Sequence, residues 1–449
     1  MSIRLNDVSE LRQGDHKLAS IMLQRMQAEA ALTDLERKED CSRIAGNVPS
    51  STVSEICELG QASLRILRAT SEFEELRDLW SAWTDGPEAD LDLFSLHVRH
   101  RREAVRPHVI VVYRNGRPDC MLVGWLDRGP VDFKVGSSNL FRSDARILRF
   151  VNGGFLGNQS RGNARFLVHA ITKSLHRREA QAAQFSQLRT DSTLYDLAKR
   201  GPSRFCRDYF TPAQAHWYLT VPAGFDEFFR GLTARRRNEF KRHARLLARD
   251  FPGRVRFEIV RSEREVEDFA RKADGISQQT YKRAMGVGFV NNLEMREMLR
   301  AAAQKAGFRA SLLYVDERPI AFAAGTLSNR TLYATFTGFD PEFRKYAPGL
   351  QSILHLIEKS SEQNGSLVRL DAGCGDMPYK RALFSSSWKE APVWIFAPSA
   401  KGLRLHVLKL VSTLLHSLAL RSLAKSERLQ KIKKAWHEQA LRNFHRESL

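Results

Sequence analysis

Between Leu64 and Phe396 the chain alternates short β-rich runs with amphipathic stretches, and it does so twice over. "SLRIL" reads as a strand, and Ser71 with Glu74 three residues on reads as a capping box opening a helix. "VRFEIV" is again a strand, and Ser262 with Glu265 repeats the device. Two hairpins follow in matching order, "VIVVYRNGRPDCMLVGWL" (Val109–Leu126) and "ASLLYVDERPIAFAAGTL" (Ala310–Leu327). Each has a β-rich run, a polar turn with Pro, and a second β-rich run. They share Tyr-x-x-x-Arg-Pro-x-x-x-x-x-Gly, with Tyr113, Arg117, Pro118 and Gly124 each offset by 201 positions from Tyr314, Arg318, Pro319 and Gly325. Self-similarity inside one order of elements predicts a duplicated structural module.

The elements after each hairpin correspond more loosely. The first copy continues with the loop "GGFLGNQSRGNA", a helix near Arg165–Arg177, the strand "QFSQLRT" and the helix "STLYDLAKR". The second continues with the strand "TLYATFT", the loop "GFDPEFRKYAPG", a helix near Leu350–Gln363, the strand "SLVRLDA" and a helix beginning near Tyr379. "APVWIFA" is a last strand. Mixed strands with helices between them predict an α/β (α+β) fold, sheets covered by helices. The expected divisions are an N-terminal extension (1–62) with a helix over Gly14–Arg43, a first half (63–225), a second half (226–398) and a basic amphipathic helical tail (399–449).

Composition narrows the class. The 449 residues are roughly two to four domains' worth of chain. At 43% apolar residues the chain can build cores. Five scattered cysteines with no C-x-x-C pair form a reduced, cytosolic pattern, with neither a disulfide framework nor a zinc motif, and no metal is expected. The polar N-terminus is not a secretory signal, and no run of about 18 uncharged apolar residues suggests a membrane span. The net charge of +20 favours anionic partners without choosing among them. Ala234–Arg249 carries seven Lys/Arg against one Glu, and Lys401–Leu449 eleven against three. Both can be solvated faces or anion-binding surfaces; the tail can also lie on anionic lipid, as a peripheral contact at the inner membrane face.

The stretch "LVRLDAGCGDMPYKRALF" (Leu367–Phe384) brings in chemistry. Its first part reads like the loop by which many methyltransferases hold their cofactor. That reading fails on three counts. Met377 stands where a third glycine is wanted, Pro378 interrupts the helix start, and too little chain follows for a nucleotide-binding sheet.

Residues from about Leu232 to Phe384 instead resemble the GNAT-related acyltransferases of the FemAB and CelD/BcsL type, many of which serve polysaccharide or cell-envelope synthesis. The resemblance rests on "RRRNEFKRHARLL", "QTYKRAMG" (Gln279–Gly286), "LLYVDERPIAFAAG", "LYATFTGFDPEF", "YAPGLQSILHLIEKSSEQNG" and "RLDAGCGDMPYKRALF". It implies tandem GNAT-like halves, acetyl-CoA or another acyl-CoA as co-substrate, and a small-molecule amine as acceptor. "QTYK" departs from the family's more usual Ser-Trp-Lys, and this leaves the acceptor open.

Acyl transfer to an amine needs donors for a diphosphate, a donor for the thioester oxygen, and proton handling. Arg344, Lys345, Tyr346, Pro348, Gly349 and Leu350 form the expected diphosphate turn, with a helix N-terminus behind it. Phe336 and Thr337 lie where the resemblance implies the sheet parts, with a backbone N–H of "LYATFTG" as the oxygen's donor. Tyr379 is the expected acid facing the sulfur. Lys380 is expected to hold a phosphate or pair with Asp371, and Asp371 or Asp376 to orient the amine or take its proton. In the first half, "QSRGNA" (Gln159–Ala164) is a rival diphosphate loop, and His355 reads as a packing histidine. Two other functions remain open. One is an aminoacyl transferase drawing on aminoacyl-tRNA, the other a non-catalytic scaffold of a polysaccharide synthase complex.

Overall fold

The computed structural model describes residues 62–425, apart from 102–104, 136–137, 210, 222–223, 281–282, 284–287, 363–366 and 376. The helix expected over Gly14–Arg43, most of Gln279–Gly286, Asp376 and the chain after Lys425 lie outside the described residues.

The first half contributes β1 (Ala62–Leu67), α1 (Arg77–Trp83), α2 (Leu91–His100), β2 (Val105–Pro107), β3 (Val109–Arg114), β4 (Arg117–Val135), β5 (Ser138–Gly157), α3 (Arg161–His176), β6 (Ala182–Arg189), α4 (Thr193–Arg200) and β7 (Gln214–Thr220). Then come α5 (Phe225–Gly231), α6 (Ala234–Asp250), β8 (Val255–Val260), α7 (Val266–Gln278), α8 (Leu293–Gln304), β9 (Phe308–Val315), β10 (Arg318–Ser328), β11 (Thr331–Phe339), α9 (Pro348–Ser361), β12 (Arg369–Cys374), α10 (Pro378–Leu383), β13 (Ser386–Phe396) and α11 (Ala400–Lys425). The strands form one 13-stranded mixed sheet in the order β1-β3-β4-β5-β6-β13-β7-β12-β11-β10-β9-β8, with β2 on β4.

The duplication is real in three dimensions, and the shared residues have physical jobs. In each hairpin the Tyr stands across the ladder from the Pro: Tyr113 opposite Pro118, Tyr314 opposite Pro319. The turns use left-handed backbone at Asn115 and Gly116, and at Asp316. The repeated glycines mark the closest approach of neighbouring strands. A Cβ on Gly124 would stand 2.5 Å from the Arg149 carbonyl oxygen, and one on Gly325 2.2 Å from that of Tyr333.

Beside each glycine the register breaks. Val123 stands opposite Val151–Gly154, and Thr335 is skipped between the pairs Ala324/Phe336 and Gly325/Ala334. Such bulges take a residue out of the ladder and re-aim the strand. Each half then has one parallel pair, and that pair soon parts: β5 with β6 pairs only from Ile147/Ala182 to Phe150/Phe185, β11 with β12 only from Thr331/Arg369 to Tyr333/Asp371.

The halves exchange their last strands. β7 is the last strand of the first half but pairs with β12 of the second. β13 is the last strand of the second half but pairs with β6 of the first. β7 and β13 pair with each other and close the seam.

Helices cover both faces. β9 is buried at every position, as a strand between two helical layers must be. α7 buries Val266, Phe269, Ala270, Ala273 and Ile276, a helical stripe that packs on Phe308, Ala310 and Leu312. Leu313 and Val315 point the other way, toward Leu247 of α6 and Tyr346. The basic helix α6 buries only Phe240 and Leu247, so its arginines form a largely solvated face. α11 folds back through Leu405, packed with Trp394 and Phe396, while Val407, Leu414, Leu415 and Leu418 are exposed. Among the described residues no helix is long and apolar enough to cross a membrane.

Of the two expected capping boxes, one forms as expected and one is shifted. The Ser262/Glu265 capping box is present, with the Ser262 amide donating to Glu265 at 2.9 Å. At the first copy Glu72 does this work instead of Glu74, accepting from the Ala69 amide at 2.9 Å, because the turn starts at Thr70.

Gly325→Ala is expected to lose about 1–3 kcal/mol in urea denaturation, since the new methyl meets backbone that cannot swing aside. Gly129→Ala, where a Cβ meets nothing within 4 Å, should stay within about 0.5 kcal/mol of the parent.

Candidate functional site

The seam strands bring together a buried polar cluster. Across the ladders, His216 on β7 stands opposite Cys374 on β12 and Trp388 on β13. Alternation along β13 puts Glu390 on the same face as Trp388. Between Asp371 and Gly373 the register shifts, and this turns the end of β12.

His216 is 5% exposed and lies between two carboxylates. Its Nε2 donates to Asp371 at 2.8 and 2.9 Å, and its Nδ1 to Glu390 Oε2 at 2.9 Å. Glu390 Oε1 accepts from the Trp388 indole at 2.6 Å, and the Cys374 thiol donates to Glu390 Oε2 at 3.2 Å. The Trp388 ring stacks on His216 at 4.3 Å. Asp371 also accepts from the Gly373 amide at 2.8 Å, holding the turn after β12.

Burial alone would push the His216 ring toward neutrality. Its hydrogen bonds to Asp371, Cys374 and Glu390 more than reverse this and raise its pKa to about 11, so His216 is an imidazolium. For Glu390, burial opposes charge, and the bond from His216 overcomes it and holds the carboxyl below its ordinary range. Burial pushes the Cys374 thiol up.

A further carboxyl reaches the cluster from the first half. Glu88 lies in the turn between α1 and α2, beside the bulged part of β5, where the Asn152 amide donates to it. The residue is exposed to solvent, although protein lies close around its carboxyl. Enclosure first, then the charges of Asp371 and Glu390, push it up to about 7 against the pull of His216. Water screens part of that field. The same turn is tied to β11: the Tyr333 hydroxyl donates to the Asp85 carbonyl at 3.3 Å, and Asn329 to that of Thr84 at 3.0 Å. Glu88 thus faces the place where β11 and β12 part.

The expected residues fall into three groups. Asp371 is in the cluster, as the partner of His216. Tyr379 lies at the start of α10, half-buried against the core of Leu219, Leu370 and Leu383. Lys380 needs correction. It is 6% exposed, and its ammonium donates to the Gly373 and Cys374 carbonyls at 3.1 and 2.8 Å, pinning the chain after β12 instead of facing a phosphate or Asp371.

In the expected diphosphate turn, Arg344 and Lys345 are exposed, but Lys345 pairs with Asp250 of α6 at 3.1 Å. Tyr346 is also corrected: it is a core residue, 4% exposed, with its hydroxyl on Asp250 at 2.9 Å. Gly349 serves close packing more than an open backbone, since a Cβ there would lie 3.2 Å from the Phe339 ring and 3.6 Å from Thr337. Pro348 is buried beside it, Leu350 packs on the core of Ile353 and Leu356, and Phe336 sits edge-on to Phe289 at 5.3 Å.

No side chain caps α9, whose N-cap is Ala347 in left-handed backbone. The rival loop in the first half is closed by its own polar network. Ser160 caps α3, Asn163 is fully buried between Arg114 and Asp119, and the Arg114 guanidinium stands 3.3 Å from where a Gly162 Cβ would be. His355 is a packing residue, stacked on Phe257 at 4.4 Å and bonded to Ser311 at 2.9 Å. His216, Glu390, Trp388, Cys374 and Glu88 were not expected. The signal available was the β-rich run "HWYLT" and the polar positions in "SSWKEAPVWIF".

Comparison with known proteins gives one family match and several similar structures. Residues 234–381 match the family model described as acetyltransferase (GNAT) domain. Among solved structures the chain is similar to FemX (10% identity, covering 76% of this chain and 98% of that one, TM-score 0.49). It is similar too to a tandem GNAT protein from the clavulanic acid biosynthesis pathway (13%, 75% and 99%, TM-score 0.46) and to L-PGS from Bacillus licheniformis (12%, 76% and 96%, TM-score 0.42). No curated protein matches the chain. The match to the acetyltransferase (GNAT) domain model lies within the second half.

Replacing His216 by Ala leaves Asp371 and Glu390 buried without their shared cation. Urea denaturation should show a loss of about 3–5 kcal/mol. A loss under about 1 kcal/mol would mean that water already neutralises the pair.

Proposed function

We propose that this protein is an acyl-CoA-dependent N-acyltransferase of the CelD/BcsL type, transferring an acyl group, by preference acetyl, to an amine of a sugar or a cell-envelope or exopolysaccharide precursor. One observation carries the reading. The parallel pair β11/β12 parts beyond Tyr333/Asp371, beside a bulge at Thr335 and opposite a carboxyl.

Acyl-CoA supplies an activated acyl carbonyl; the rest is the work of this chain. The turn before α9 offers a phosphate the exposed Arg344, while the Leu350 and Gln351 amides turn back on the Ala347 carbonyl at 3.1 and 3.2 Å. The bulge sets Thr335 outside the β10/β11 pairs, and its amide is the donor assigned here to a carbonyl oxygen entering the gap. Glu88, Asp371 and Glu390 give the mouth a negative field that suits an entering ammonium. Glu88 can take its proton, because nearby protein and the charges of Asp371 and Glu390 raise its carboxyl above the ordinary range, an effect that solvent at this exposed residue reduces. Tyr379 remains the acid proposed to face the leaving sulfur.

Thermal shift of the full chain with CoA, acetyl-CoA and tRNA tests the donor. CoA compounds at about 100 times Kd should stabilise by about 2.7 kcal/mol. No rise with either CoA compound would refute the reading, and a rise with tRNA alone would favour the aminoacyl-tRNA transferase, for which the solvated face of α6 offers the charge.

Glu88→Gln tests the base. It should lower kcat about 10²–10⁴-fold and abolish the rise of kcat/KM through pH 7. The folded carboxyl holds its proton more tightly than the unfolded one, so this group costs the parent stability as pH rises from about 4.5 through 7. The variant should therefore melt higher than the parent at pH 8 and equally at pH 4. Unchanged kcat with intact folding would remove Glu88 from the mechanism.

A further inference from the structure

We propose that His216, Cys374 and Glu390 form a binding site for a divalent transition-metal ion of the zinc type at the seam between the two halves. The three ligand atoms come from three different strands: Nδ1 from β7, Sγ from β12 and Oε2 from β13. They are 2.9 Å (Nδ1 to Oε2), 3.2 Å (Sγ to Oε2) and 3.9 Å (Sγ to Nδ1) apart. Zinc bonds of about 2.0–2.3 Å at tetrahedral angles place such atoms roughly 3.4–3.6 Å apart, so shifts of about half an ångström seat an ion. The donor set is imidazole, thiol and carboxylate. It suits zinc or cobalt and excludes the all-oxygen preference of magnesium or calcium.

The surroundings are those of a metal site too. Asp371 holds Nε2 at 2.8 Å, leaving Nδ1 as the coordinating nitrogen. The Trp388 indole holds Oε1 of Glu390 at 2.6 Å, leaving Oε2 for the ion. Trp388 also stacks on the imidazole and fixes its plane. Without metal, the Nδ1 proton and the thiol proton both lie on Glu390 Oε2, at 2.9 and 3.2 Å. An ion takes the place of these two protons, releasing them as it binds, and draws all three atoms onto one centre. Three protein ligands leave a fourth position open, as in zinc sites that bind water or substrate.

The test reads metal, not acyl transfer, so it stands or falls separately from the proposed activity. Full-length protein is stripped with chelator, dialysed against Zn²⁺ or Co²⁺ and analysed for bound metal. The expected result is one equivalent per chain, with the cobalt form showing a thiolate-to-cobalt charge-transfer band and intense tetrahedral d–d bands. Cys374→Ser should lose the charge-transfer band, and Glu390→Gln should bind at least tenfold more weakly. Cys41→Ser/Cys57→Ser, which leaves the cluster intact, should keep the band, and it carries the test if Cys374→Ser fails to fold. Substoichiometric binding by the parent would overturn the site. So would full binding by Cys374→Ser, or loss of the band in the Cys41/Cys57 variant.

Discussion

His216 is held by Asp371 on one ring nitrogen and Glu390 on the other, inside the sheet, and these bonds tie β7 to β12 and to β13. Every hydrogen-bonded route from one half to the other through the sheet runs across these strands. A charged triad is a costly way to fill a sheet. Its desolvation is offset only because each carboxylate has further donors, the Gly373 amide for Asp371 and the Trp388 indole for Glu390. An apolar seam could be as stable. It would not put three ionisable groups beside the gap between β11 and β12, and the polar seam is better understood as serving that gap.

The repeat was legible because its residues answer local needs. Tyr, Pro and Gly sit where a hairpin turns and where strands come closest, and neither need depends on the distant fold. Asn115, Gly116 and Asp316 likewise adopt left-handed backbone because the turn demands it. The long ribbon of β4 and β5 was less legible. "DRGPVDFKV" and "NLFRSDARILRF" mix charge with β-rich residues, as strands with a solvated face do.

The cluster was hidden for a different reason. His216 lies 155 residues from Asp371 and 174 from Glu390, and only the strand exchange makes them neighbours. No spacing rule reaches that far. Asp371 stood out through the stretch around it, and Lys380 was misread because an ammonium can bind backbone carbonyls as well as phosphate. Tyr346 was misread because a loop rich in Arg and Lys gives no sign that its aromatic residue turns inward to α6.

Exchange of the last strands also bears on how the chain comes off the ribosome. When the first half has emerged, the edge of β6 has no neighbour, since Phe185 must wait for Val393 near the end of the described chain. A bare edge invites pairing with other chains. The nascent protein therefore passes through a stage in which its first copy is nearly built yet open on one side. It stays open until β13 has emerged and paired with β6.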